Sequence, residues 1–109
     1  MTYDFNQAVN YSIPNLNGGD GTVFAKVIPG ETGSVMFAVI PPGSSIGAHT
    51  HESDMDFNFI VSGTGVAVCD GEEELLSPGV CHFCPKGSRH SIRNTGDTDM
   101  QIYIAVVRK

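Results

Sequence analysis

Residues 49–56 read HTHESDMD: two of the chain's four histidines stand two apart, and Glu52, Asp54 and Asp56 follow at once. In an extended strand, residues i and i+2 point to one face. His49 and His51 are then placed to offer two imidazoles to one ion, with a carboxylate close behind. A polar surface loop has the same composition. The pair alone does not separate the two readings.

The elements that must position these residues are short and extended. Apolar or alternating runs fall at 22–28, 34–40, 47–51, 56–61, 65–70, 72–76, 80–85, 89–94 and 100–107, and each is closed by Gly, Pro, Asn or Asp. Asp70-Gly71 is a hairpin turn signal. No window carries a sustained 3.6-residue period, so little helix is expected. Eight or nine strands in about 90 residues predict an all-β sandwich or closed barrel. Residues 1–20 are polar and Asn-rich and read as an arm with little structure of its own, ahead of a barrel domain over 21–109.

Bulk properties narrow the function classes. The 109 residues suit one domain, and 40% hydrophobic content suffices for a core. A formal net charge of −6 repels phosphate backbones and anionic lipid, so neither nucleic acid nor membrane is an expected partner. No run approaches the roughly 18 apolar residues of a membrane span. The first residues lack the basic start and apolar run of a secretory signal. With Cys69, Cys81 and Cys84 as an odd set of thiols, a cytoplasmic location is expected.

Two spaced patterns favour a metal site over a polar surface loop. The first runs Gly43, His49, His51, Asp56, Gly63, and the second Gly79, Pro85, Gly87, His90, Asn94. Together they resemble the two signature motifs of the cupin family, with Asp56 standing where the family has Glu. The resemblance implies an all-β, small double-stranded β-helix (jelly-roll) barrel. It also implies a metal held by His49, His51, the acid at 56 and His90. Three neutral imidazoles and a carboxylate suit a divalent transition metal such as Mn, Fe, Ni, Cu or Zn. Gly43, Gly63, Gly79 and Gly87 are expected to make tight turns.

The acid is the least determined ligand. Asp is one methylene shorter than Glu, and Asp54 shares the strand face of Asp56. Asp56 keeps the register to Gly63 and is preferred; Asp54, a water-bridged acid or a site of three histidines are the alternatives. Alternation also puts Asn58 and Ile60 on the face of Asp56. It pairs His82 with Cys84 on one face and Cys81 with Phe83 on the other, which makes Cys81 and Cys84 core or surface thiols rather than a redox couple.

Two functions fit the resemblance. One is a metal-dependent enzyme on a small molecule, of oxygenase, isomerase, decarboxylase or lyase type; the other is a non-catalytic module that binds a sugar or metabolite. Beyond the ligands, His82, Tyr103, Glu52 and Asp54 are the candidate bases. Basic residues are few, which favours a neutral or weakly charged ligand. Exposed strand edges predict a homodimer through the N-terminal region or the 22–28 strand.

Overall fold

A computed structural model describes residues 1–108; Lys109, the last residue of the expected barrel, lies outside them. Ten strands run in chain order: β1 (Asn10–Pro14), β2 (Thr22–Gly30), β3 (Gly33–Ile40), β4 (Ser45–Thr50) and β5 (Asp54–Ser62), then β6 (Gly65–Cys69), β7 (Glu72–Leu76), β8 (Cys81–Cys84), β9 (Arg89–Asn94) and β10 (Met100–Arg108). They form a six-stranded sheet, β1-β2-β3-β10-β5-β8, and a four-stranded sheet, β4-β9-β6-β7, with every pairing antiparallel. This is the all-β jelly-roll barrel that the strand pattern and motifs led us to expect. Among the described residues the helical structure is two 3-10 turns, Phe5–Gln7 and Leu16–Gly18. Among the described residues, no helix is long and apolar enough to cross a membrane.

The arm expectation needs correction. Residues 10–14 pair with β2 from Asn10↔Lys26 to Pro14↔Thr22, so the segment forms one edge of the larger sheet. Pro14 ends the strand, and three of its five side chains face solvent before Ile13 turns inward. With so little alternation the strand was invisible to a two-residue period.

Alternation sets the interior. In β5, Asp56, Asn58 and Ile60 are buried while Phe59 and Val61 are exposed, and in β9, His90, Ile92 and Asn94 are buried. Ile40, Ile60, Ile92, Met100, Ile102 and Ile104 pack between the sheets. Each such side chain contributes about 1.5–3 kcal/mol by leaving water. The four motif glycines all have positive φ, between 75° and 92°. Asn94, the last motif residue, is buried and ties the fold together: its amide donates to the carbonyls of Ile40 and Thr98, and its oxygen accepts from the Gly96 N–H.

Candidate metal centre

A bulge builds the first half of the site. β4 pairs with β9 as Ile46↔Ile92 and then His49↔His90, so three residues of β4 span two of β9. The extra residue lets both Ile46 and His49 face inward although they are three apart. Gly47 lies in the bulge and has no room for a side chain: a Cβ there would stand 2.2 Å from the Asn17 carbonyl oxygen. That close approach seats the Leu16–Gly18 turn against β4.

The two sequence motifs are joined through the backbone. His51 lies just beyond β4, where its N–H donates to the Ser88 carbonyl and its carbonyl accepts from the Gly87 N–H. Gly87 adopts φ 91°, which a β-carbon would strain. The Pro85–Ser88 turn thus clamps His51 while leading directly into β9 and His90. Asp56 reaches the same point from the opposite sheet.

Four donor atoms converge. The Nε2 atoms of His49, His51 and His90 lie 3.1–3.2 Å apart. Asp56 Oδ2 is 3.0 Å from His51 Nε2 and 3.4 Å from His90 Nε2. The concern that aspartate is too short is answered by the approach of β5. Asp54 takes another place, with its Oδ1 accepting from His51 Nδ1 at 2.6 Å on the far side of the ring.

The tautomers follow from the partners of each Nδ1. His49 Nδ1–H donates to the Gly47 carbonyl and His51 Nδ1–H to Asp54. His90 Nδ1 meets His82 Nε2 at 2.9 Å, and His82 Nδ1 meets Glu74 at 2.7 Å. A carboxylate only accepts, so His82 Nδ1 carries the proton and its Nε2 accepts from His90 Nδ1–H. All three Nε2 atoms are left as lone pairs facing one another and a carboxylate. Such a cluster repels itself unless a cation sits among its members. The residues present therefore fit a metal ion, since the separations are those of donors on one ion with bonds of about 2 Å.

Electrostatics favour the unprotonated form of two of the donors, His49 and Asp56. Burial, with the neighbouring His90 and His51, lowers the His49 pKa against the opposing Gly47 hydrogen bond. Burial pushes Asp56 up, but His90, His51 and the Asn58 amide outweigh it and hold the carboxyl below its ordinary value. Both directions let these ligands compete with protons at lower pH.

Asn58 proves to be a positioning group: its amide donates to Asp56 Oδ1 at 2.9 Å and to the His82 carbonyl. His82 and Cys84 are buried and Cys81 is exposed, so the two cysteines do not face each other across a redox pair. Burial, reinforced by Asp56, pushes the Cys84 thiol up to about 12, which leaves it inert. Tyr103 is exposed on the outer sheet face, and Glu52 is exposed beside the site.

Sequence reasoning missed two features. Ile13, Leu16 and Asn17 of the supposed arm line the cavity in front of the donors. The Glu74–His82–His90 chain joins β7, β8 and β9, and only the inward face of His82 was legible beforehand. Replacing His82 with phenylalanine keeps a flat ring but removes the acceptor for His90. We expect Mn(II) affinity to fall roughly 10- to 100-fold, as for other partners that orient a ligand histidine. Unchanged affinity in an electron paramagnetic resonance titration would show that the chain does not hold His90.

Comparison with known proteins agrees with this geometry. The family model described as "Cupin domain" (Cupin_2) matches residues 36–107. The oxalate-binding protein of Thermotoga maritima is 37% identical over 101 residues, covering 87% of this chain and 83% of that protein. The 5-nitrosalicylic acid 1,2-dioxygenase of a Bradyrhizobium species is 38% identical over 66 residues, or 61% of this chain and 31% of the enzyme. The crystal structure of a predicted oxalate decarboxylase from Thermotoga maritima superposes with a TM-score of 0.92 at 28% identity, over the full length of both chains.

Proposed function

The chain belongs to the cupin family, and from that membership we propose that it holds a divalent transition metal on His49, His51, Asp56 and His90 and there binds or transforms a small-molecule metabolite. The observation that carries this reading is the convergence of three Nε2 lone pairs and one carboxylate, each fixed by its own hydrogen bond. When bound, the ion supplies a Lewis acid with positions left for ligand oxygens. The chain's own residues hold those donors, exclude water with aliphatic walls and present the mouth of the cavity. The names of two relatives, an oxalate-binding protein and a nitrosalicylate dioxygenase, both describe acids with adjacent oxygens, which supports a small acid as ligand. Protein purified without chelator should carry about one metal ion per chain by elemental analysis. Metal-free protein that also refuses Mn, Fe, Ni, Cu and Zn would end the proposal.

A second reading, a binder without turnover, has its own support. None of the bases weighed from the sequence lines the cavity: His82 stands behind His90, Asp54 behind His51, and Tyr103 and Glu52 lie outside. Any proton transfer would fall to the ligand set or to solvent. Turnover screens on the metal-loaded protein separate the two readings.

The assembly proposed is a homodimer. β1 covers β2, so the 22–28 strand is not an edge, whereas β1 in the N-terminal region is one. The outer face of the larger sheet offers a second surface and exposes Phe59, Val61, Phe83 and Tyr103 by 41–49% each. Phe59 and Tyr103 are cross-strand partners, and Phe57 stacks on Phe83 at 4.7 Å. A connected apolar patch of this kind favours association. Light scattering at micromolar concentration should report a dimer that Phe59→Glu dissociates; a monomeric wild type rules it out.

A further inference from the structure

The cavity beside the four donors has a volume of about 220 Å³, and its remaining walls are almost wholly aliphatic, with Val27, Met36, Ile46, Ile92 and Ile104 prominent. Two amides complete the lining, Asn17 and Asn58, and the Asn58 amide is already committed to Asp56 and the His82 carbonyl. Among the described residues no lysine, arginine or hydroxyl side chain reaches it.

Charge and size then restrict what can enter. A divalent ion on three neutral imidazoles and one carboxylate leaves a single net positive charge. One anionic oxygen from a ligand neutralises it. A second anionic group out of reach of the ion would stand unpaired against aliphatic walls, where a buried charge is strongly disfavoured, and one that reaches the ion leaves the site with a net negative charge. Asp54 and Glu74, behind His51 and His82, add negative charge and sharpen that preference. An ion that accepts six donors keeps two positions beyond the four protein atoms, and one end group with two adjacent oxygens fills both. The cavity equals about seven water volumes at roughly 30 Å³ each, of which such an end takes two or three.

We propose that the ligand of this site is a monoanionic acid whose carboxylate and neighbouring oxygen meet the ion, and whose uncharged apolar body of about four or five carbons fills the cavity. The proposal rests on the metal reading above and extends it. It separates this chain from any site that serves a small dianion, because a dianion leaves the aliphatic space empty and the extra charge unmatched.

The test uses the full chain loaded with Mn(II), with the loading confirmed by elemental analysis before any acid is added. Pyruvate, 2-oxobutyrate, 2-oxopentanoate and 2-oxohexanoate are titrated by calorimetry, with 2-oxoglutarate and oxalate as dianions. Affinity should rise roughly fourfold per added methylene, or roughly sixtyfold across the series. Both dianions should bind more weakly than 2-oxohexanoate. Val27→Phe, which narrows the aliphatic wall, should cost 2-oxohexanoate more than pyruvate. Loaded protein that shows no chain-length dependence, or that prefers oxalate or 2-oxoglutarate, overturns the proposal and leaves the metal site standing. Failure to take up Mn(II) and each of Fe, Ni, Cu and Zn in its place overturns the metal reading and this proposal with it, and is seen at the loading step.

Discussion

Replacing His90 with alanine is expected to bring metal content from about one ion per chain to near none, because the change removes a donor at the centre of the cluster. His90 Nε2 is 3.1 Å from the Nε2 of both other histidines and 3.4 Å from Asp56, so no neighbouring side chain replaces it. The effect should also be visible in stability. A ligand at a hundred times its Kd stabilises the fold by about 2.7 kcal/mol, which for a domain of this size raises Tm by about 10 °C. Wild type should show that shift on adding Mn(II), and His90→Ala should not. A variant that melts as a folded protein yet keeps the shift would place the ion elsewhere. Circular dichroism separates loss of the ion from loss of the fold.

What was legible in the sequence is what depends on a two-residue period and on local turn chemistry. His49, His51, Asp56 and His90 share inward faces because each lies on, or just beyond, a short strand with clear boundaries: Gly43 and Gly87, at positive φ, precede β4 and β9, and Gly63 follows β5. The role of Asn58 was half visible: its face was right, but its partners, Asp56 and the His82 carbonyl, depend on the β5–β8 register. Less local features were hidden. Glu74 belongs to one sheet and His82 to the other, and nothing in "EEELL" marks which acid meets an imidazole eight residues on. β1 lacks alternation, so its pairing and the cavity-lining roles of Ile13 and Leu16 emerge only once β2 and the bulge at Gly47 are in place.

The two acids offer the sharpest separation of roles. Asp56→Asn keeps the side chain's size but removes the one charge that faces the ion. Breaking a buried charge pair of this kind costs roughly 3–5 kcal/mol, a few hundred- to a few thousandfold in metal affinity. Asp54 meets only the outer nitrogen of His51. Asp54→Asn leaves the ligand set complete and merely loosens one ring, so a loss of roughly tenfold is expected. Asp56→Glu tests reach. With Oδ2 already 3.0 Å from His51 Nε2, an added methylene has no gap to close, and the longer acid should bind the ion no better than wild type. Mn(II) titrations of the three variants rank these outcomes directly. Equal, small losses in both asparagine variants would mean that the histidines alone hold the ion and leave a third position for ligand. A larger loss in Asp54→Asn than in Asp56→Asn would exchange the two roles, because the acid that matters most must be the one the ion touches.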